Sequence, residues 1–154
     1  MVQPGLQFVF EIQIDVTGGK LLELGATAKG VKKIVPILGG QFEGPEIKGV
    51  IVPGGYDWQL IRHDGVAEVE ARYILKTDDD VLITIFNKGL RHGTPEAMQR
   101  IADGELADPK NYYFRTAPVF ETTAGKYDWL NRNIFLANGI RKPDQVLIQV
   151  WMVL

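Results

Sequence analysis

In the stretch VPGGYDWQLIRHDG, residues 52 to 65, Asp57 stands beside Trp58, directly after Gly54-Gly55 and at the start of a short apolar run. A carboxylate held against an indole and away from water loses hydration in its charged form. Its pKa then climbs toward the range useful for proton transfer. An arginine within reach opposes that rise, keeps the carboxylate ionised and offers a guanidinium to an acidic or enolate-like ligand. Arg72, Arg91 and Arg115 are the candidates for that arginine. Asp57 is thus the candidate catalytic group and Trp58 its neighbour on a pocket rim. The competing role for Asp57 is to fix the turn after the two glycines, a common duty of aspartate.

Further polar side chains interrupt strand-like apolar blocks. Arg72 and Tyr73 are adjacent in EARYIL, so they face opposite sides of a strand. Tyr73 shares its face with Val69, Ala71 and Leu75 and is expected inside; a bulge would put Arg72 there instead. Arg115 in YYFRTAP and Glu121 in FET either contact a ligand or pair with each other, since a buried charge without a partner is costly. Asn87 at the end of TIFN, with Trp129 and Asn131 in WLNRN, completes the candidate ligand contacts. Their ordinary alternatives are a core aromatic for Trp129 and turn-fixing hydrogen bonds for the two asparagines.

Several chemistries are disfavoured. The two histidines, His63 and His92, each sit beside turn-like glycines and lack the spacing of a zinc hydrolase, so no metal site is expected. Asp78-Asp79-Asp80 lacks the alternating acidic spacing of a calcium loop and reads as a hairpin turn. Gly39-Gly40 and Gly54-Gly55 do not precede helix starts, so they read as strand bends rather than phosphate or dinucleotide loops, and no cofactor is expected. Cysteine is absent, which removes thiolate chemistry. A net charge of -2 and a pI of about 5.7 provide no positive field for nucleic acid or for a membrane surface. With no leader-like start and no long apolar run, a cytoplasmic location is expected.

The elements that must position these groups are mostly strands. In LQFVFEIQIDV, Phe8, Phe10, Ile12, Ile14 and Val16 recur with a period of two, and the pattern returns in VAEVEARYIL, VLITIFN and QVLIQVWMVL. Gly18-Gly19, Gly39-Gly40, Gly44-Pro45, Pro53-Gly54-Gly55 and Asp64-Gly65 punctuate them as turns or bends. One segment reads as helix, GTPEAMQRIADG, with Thr94 as N-cap, Pro95 at the first helical position and Gly104 as the stop. The 154 residues, 45% hydrophobic and 23% charged, make one domain. The fold class is all-β, an antiparallel barrel with one short helix. The C-terminal QVLIQVWMVL is expected to be a paired strand, with Trp151 in the core or at a subunit contact.

The blocks GGQFEGPEIKGVIVPGGYDWQ, ARYILKTDD, YYFRTAPVFET and WLN, in that order, resemble the bacterial and fungal family called domain of unknown function 3237. The resemblance runs from about Leu6 to Val153. It implies a calycin- or lipocalin-like β-barrel and no particular activity.

Two functions in different classes follow. One is a cofactor-independent acid-base enzyme, an isomerase, dehydratase or cyclase for a small carbonyl, hydroxy or aromatic metabolite, with Asp57 moving the proton. The other is a non-catalytic barrel that uses the same cavity to hold a small-molecule ligand. A homo-oligomeric structural protein is a third reading, and a homodimer is the expected assembly on general grounds.

Overall fold

The computed structural model describes residues 1–17 and 19–154. Among them, ten strands form one antiparallel sheet: β1 (Leu6–Asp15), β2 (Leu22–Thr27), β3 (Gly30–Ile37), β4 (Gly39–Glu43), β5 (Lys48–Ile61), β6 (Ala67–Thr77), β7 (Leu82–Gly93), β8 (Tyr112–Thr122), β9 (Phe135–Arg141) and β10 (Gln145–Val153). Helix α1 (Pro95–Ala102) lies between β7 and β8, and a single helical turn, α2 (Trp129–Arg132), between β8 and β9. Among the described residues, no helix is long and apolar enough to cross a membrane.

Eight of the strands close on themselves in the order β5–β4–β1–β10–β9–β8–β7–β6, with β6 returning to β5. An eight-stranded barrel has an interior that side chains can just fill, or that can hold one small ligand. Here side chains fill one end and leave a cavity at the other. The first part of β5 pairs with β4 and its later part, Gly55 to Ile61, pairs with β3 along the same edge. Strands β3 and β4 are separated only by Leu38, and the bend falls at Gly39 and Gly40, with φ of 142° and 134°. A Cβ on Gly40 would lie 1.9 Å from the Gln13 carbonyl oxygen, so only glycine lets β4 approach β1 this closely. The expected turn at Gly18-Gly19 includes residue 18, which lies outside the described residues.

A second irregularity sits in β5. Val52 pairs with Ile74 and Tyr56 with Arg72, so Pro53, Gly54 and Gly55 bulge out opposite Tyr73. Because the pairing resumes in phase, Tyr73 keeps its inward direction and Arg72 points out over the Phe86 ring, 4.3 Å from its centroid. The bulge falls in the partner strand, so it does not exchange Arg72 for Tyr73.

The end of the barrel near the β6–β7 turn is packed solid. Phe10, Phe42, Phe120 and Phe135 form a chain of tilted and edge-on rings with centroids 5.1–5.9 Å apart, flanked by Ile12, Leu75, Ile83 and Ile85. Leu130 of α2 and Tyr127 close it from below, and the Tyr127 hydroxyl donates to Asp79 at 2.6 Å. Hydrogen bonds from Thr77 and Tyr127 hold the Asp79 carboxyl down at about 2. The acidic run is the β6–β7 turn, with Asp80 at φ 65°. Trp151 lies on the outer face of β10 rather than in the core. Its indole donates to Asn138 at 2.8 Å and meets Phe8 edge-on.

Helix α1 begins and ends as the sequence indicates. The Thr94 side chain accepts from the Ala97 N–H at 3.2 Å, Pro95 opens the helix, and Gly104 follows it with φ 74°.

Candidate functional site

The opposite end of the barrel is hollow. A cavity of about 240 Å³ lies between the strands, with Val16, Gly19 and Leu21 after β1 and Ile101, Ala102 and Gly104 of the α1 segment contributing to its wall. Three inward rows, read across the sheet by pairing, build it. One runs Val35–Asp57–Ala71–Asn87, a second Lys33–Gln59–Val69–Gly89–Thr116, and a third Ala67–Arg91–Phe114. Small residues in these rows, Ala67, Ala71 and Gly89, leave the space that the longer polar side chains enter. A Cβ on Gly89 would lie 2.1 Å from the Arg115 carbonyl oxygen and 2.6 Å from Thr116, so strands β7 and β8 require glycine there.

Asp57 faces this cavity. Its Oδ2 accepts from the Gln59 amide at 2.7 Å and its Oδ1 from the Glu70 backbone N–H at 3.2 Å. Among the described residues it forms no ion pair. Burial raises its carboxyl above the ordinary aspartate value; the Gln59 hydrogen bond, Arg91, the Glu70 N–H and Lys33 each pull the other way without cancelling the rise. Arg91, Lys33 and Arg141 bring positive charge to the same space, and burial is the largest influence lowering the pKa of each. Among the described residues, three buried side-chain atoms on the cavity wall have no hydrogen-bond partner: Asn87 Oδ1, Arg91 Nε and Thr116 Oγ1. Buried polar atoms in folded proteins are nearly always paired, so a wall with three orphans is suited to a polar guest.

The structure therefore brings together Asp57, Asn87 and Arg91 of the residues singled out in the sequence. Tyr73 is inward but lies one step toward the packed end. It is 4% exposed, its hydroxyl has no hydrogen-bond partner among the described residues, and burial and the Asp57 charge raise its pKa. Trp58 does not join Asp57. Adjacent strand residues face opposite ways, so Trp58 is on the outer surface, 43% exposed, with the Lys32 ammonium 5.9 Å from its ring. The protein interior, rather than the indole, is what raises the Asp57 pKa.

Arg72, Arg115 and Glu121 are also on the outer face. Arg115 donates to the Phe114 carbonyl and lies over Tyr113, and among the described residues it forms no ion pair with Glu121. Trp129 and Asn131 belong to the packed end. Trp129 tilts against Phe135, while the Asn131 amide clips both the N–H and the carbonyl of Thr122. Lys33, Gln59, Thr116 and Arg141 also line the cavity and are not among the candidates the sequence offers. The period of two marks three of them, because Gln59 follows Asp57 by two, Thr116 follows Phe114, and Arg141 ends the series Phe135, Ala137, Gly139.

The profile of the family described as protein of unknown function (DUF3237) matches residues 4–153. The chain belongs to that family. A UPF0311 protein of Rhodopseudomonas palustris strain TIE-1 is 39% identical over 151 residues, 98% of this chain and 99% of its own length. One from Bradyrhizobium diazoefficiens is 40% identical over 148 residues, 96% of this chain and 95% of that protein. The crystal structure of a Rhodopseudomonas palustris protein, described as a conserved protein of unknown function, superposes with a TM-score of 0.93 at 38% identity and full coverage of both chains. A β-barrel-like protein from Acinetobacter baumannii gives 0.86 at 37% identity, covering 100% of this chain and 98% of that one. An enzyme from Penicillium herquei, 20% identical, shares the fold with a TM-score of 0.73 over 100% of this chain and 97% of its own.

Proposed function

We propose that this DUF3237 protein is a cofactor-independent acid-base enzyme that binds a small carbonyl, hydroxy or aromatic metabolite in the barrel cavity, with Asp57 transferring the proton. The observation that carries the reading is a carboxylate that faces a cavity at the open end of the barrel and forms no ion pair among the described residues, with its pKa raised by burial. A general base works best when its pKa approaches the working pH, and burial moves Asp57 in that direction. The Asn87 amide, the Thr116 hydroxyl and the Arg91 guanidinium line the same space and supply hydrogen-bond donors for an oxyanion formed when the proton leaves. The cavity lies below the roughly 300–1,000 Å³ range of drug-sized sites, which suits a compact metabolite.

The test is incubation of the protein with a metabolite extract in deuterated water, read by mass spectrometry for isomerised, dehydrated, cyclised or deuterium-labelled species. Wild-type protein should change a discrete set of compounds, and Asp57→Asn should slow that change by about a hundred-fold to ten-thousand-fold. Equal turnover by the variant would remove Asp57 from the chemistry. Compounds that raise the melting temperature of both proteins without turnover would instead establish the non-catalytic binding barrel, which the cavity alone is sufficient to support.

A further inference from the structure

The cavity wall carries one carboxylate, Asp57, against three basic side chains, Lys33, Arg91 and Arg141. Among the described residues none of the three forms an ion pair. Glu23 lies near enough to Lys33, and Asp144 to Arg141, to favour their charged forms, and Arg141 also donates to the carbonyls of Lys142 and Gln145. Arg91 has less. Asp57, and after it the Tyr112 hydroxyl, favour its charged form; it is 5% exposed, its Nε has no hydrogen-bond partner among the described residues, and its guanidinium lies 5.4 Å from the Phe114 ring centroid. A buried cation without a hydrogen-bonded counter-charge is costly, and the cost is relieved when an anion arrives. Guanidinium also matches a carboxylate in a planar, two-pronged geometry that neutral groups cannot use as well.

We infer that the ligand of this cavity is a small organic carboxylate, anchored by Arg91 between the Asn87 and Thr116 side chains, with Lys33 and Arg141 adding positive charge around it. The inference rests on the cavity being the ligand site, as proposed above. It makes Arg91 the determinant of ligand class and leaves Asp57 free to act on another part of the molecule. Charge balance gives a further consequence: Asp57 repels the anion, so removing its charge strengthens carboxylate binding while weakening proton transfer.

The probes are acetate and benzoate, their neutral amides acetamide and benzamide, and inorganic phosphate, titrated into the full chain by calorimetry. The carboxylates should bind saturably, with each amide at least about ten-fold weaker than its acid. Arg91→Met should lower carboxylate affinity by about ten- to a hundred-fold, Arg91→Lys should retain part of it, and Asp57→Asn should bind at least as tightly as wild type. Amides that match their acids, carboxylate binding that survives Arg91→Met in a folded variant, tighter binding of phosphate than of either carboxylate, or no saturable carboxylate binding would each overturn the inference. The amide comparison needs only wild-type protein, so it stands if Arg91→Met fails to fold. Unchanged turnover in Asp57→Asn would sink the acid-base reading and leave the carboxylate result intact.

Discussion

The two ends of this barrel are built from the same strands and differ in almost every other respect. On β7, Ile83 and Ile85 enter the packed end while Asn87, Gly89 and Arg91 enter the hollow one; on β6 the change runs from Leu75 and Tyr73 to Ala71, Val69 and Ala67. Strand alternation is indifferent to which half it serves. What changes is side-chain volume and polarity along each inward row. Interlocked aromatic rings at one end close the ring of strands and hold its register. That leaves the other end able to keep an open space, an ionisable carboxylate and cations that form no ion pair among the described residues, none of which helps folding. The site is tolerable because the stability comes from elsewhere in the same barrel.

The largest expected effect tests that division directly. Ile83 is fully buried at the packed end, and Ile148 is buried but lines the cavity. Truncating a buried isoleucine to alanine costs about 2–5 kcal/mol, and the spread depends on the void left behind. Ile83→Ala should fall near the top of that range in denaturant unfolding, because rigid neighbours enclose the new void. Ile148→Ala enlarges a space that already exists and should fall near the bottom. Equal losses would mean that the two ends carry stability alike.

A smaller effect on folding, with a large one on binding, is expected from Ala71→Leu. Ala71 sits in the row between Asp57 and Asn87. Overpacking a filled core costs about 1–3 kcal/mol, but here the added carbons enter the cavity, so the loss should be about 1 kcal/mol or less. The cavity would lose its room for a guest. A melting temperature close to that of wild type, together with loss of carboxylate-induced stabilisation, is the expected pair of readings; retained binding would show that ligands sit elsewhere.

The barrel, the helix α1 and the hairpin at Asp78 to Asp80 are legible in the sequence because each depends on local pattern: a period of two, a cap with a proline, a polar turn. The site is only partly legible. Alternation separates Arg72 from Tyr73, and the same rule applied to Asp57 and Trp58 sends the tryptophan outside, so that adjacency never described a shared pocket wall. Arg115 and Glu121 share a face, which proves to be the outer one. Which rows meet across the interior depends on closure between β5 and β6 and on the phase kept through the bulge at Pro53 to Gly55. Those are long-range facts, and they bring Lys33 of β3 and Arg141 of β9 to one cavity although more than a hundred positions separate them.

The smallest expected effect is one of pH, and it follows from the direction of the Asp57 shift. Burial holds the folded-state pKa of this carboxyl above its unfolded value of 3.8. Between those two pKa values the folded state binds the proton more tightly than the unfolded chain does. The stabilising contribution is therefore fully present below the unfolded pKa and is lost as pH rises through the folded one, with a slope no steeper than about 1.4 kcal/mol per pH unit for a single proton. Asparagine at this position does not titrate. It can still accept from the Glu70 N–H, and the Gln59 amide can turn so that its oxygen faces the new NH2 group. Asp57→Asn should accordingly gain stability relative to wild type as pH is raised from the acid side to neutrality, in paired urea titrations that cancel the other carboxylates. A fall in the variant's stability relative to wild type over that range would mean that the ionised carboxylate is stabilised by its neighbours, the Gln59 hydrogen bond first and then Arg91, and that the hollow end contributes to folding after all.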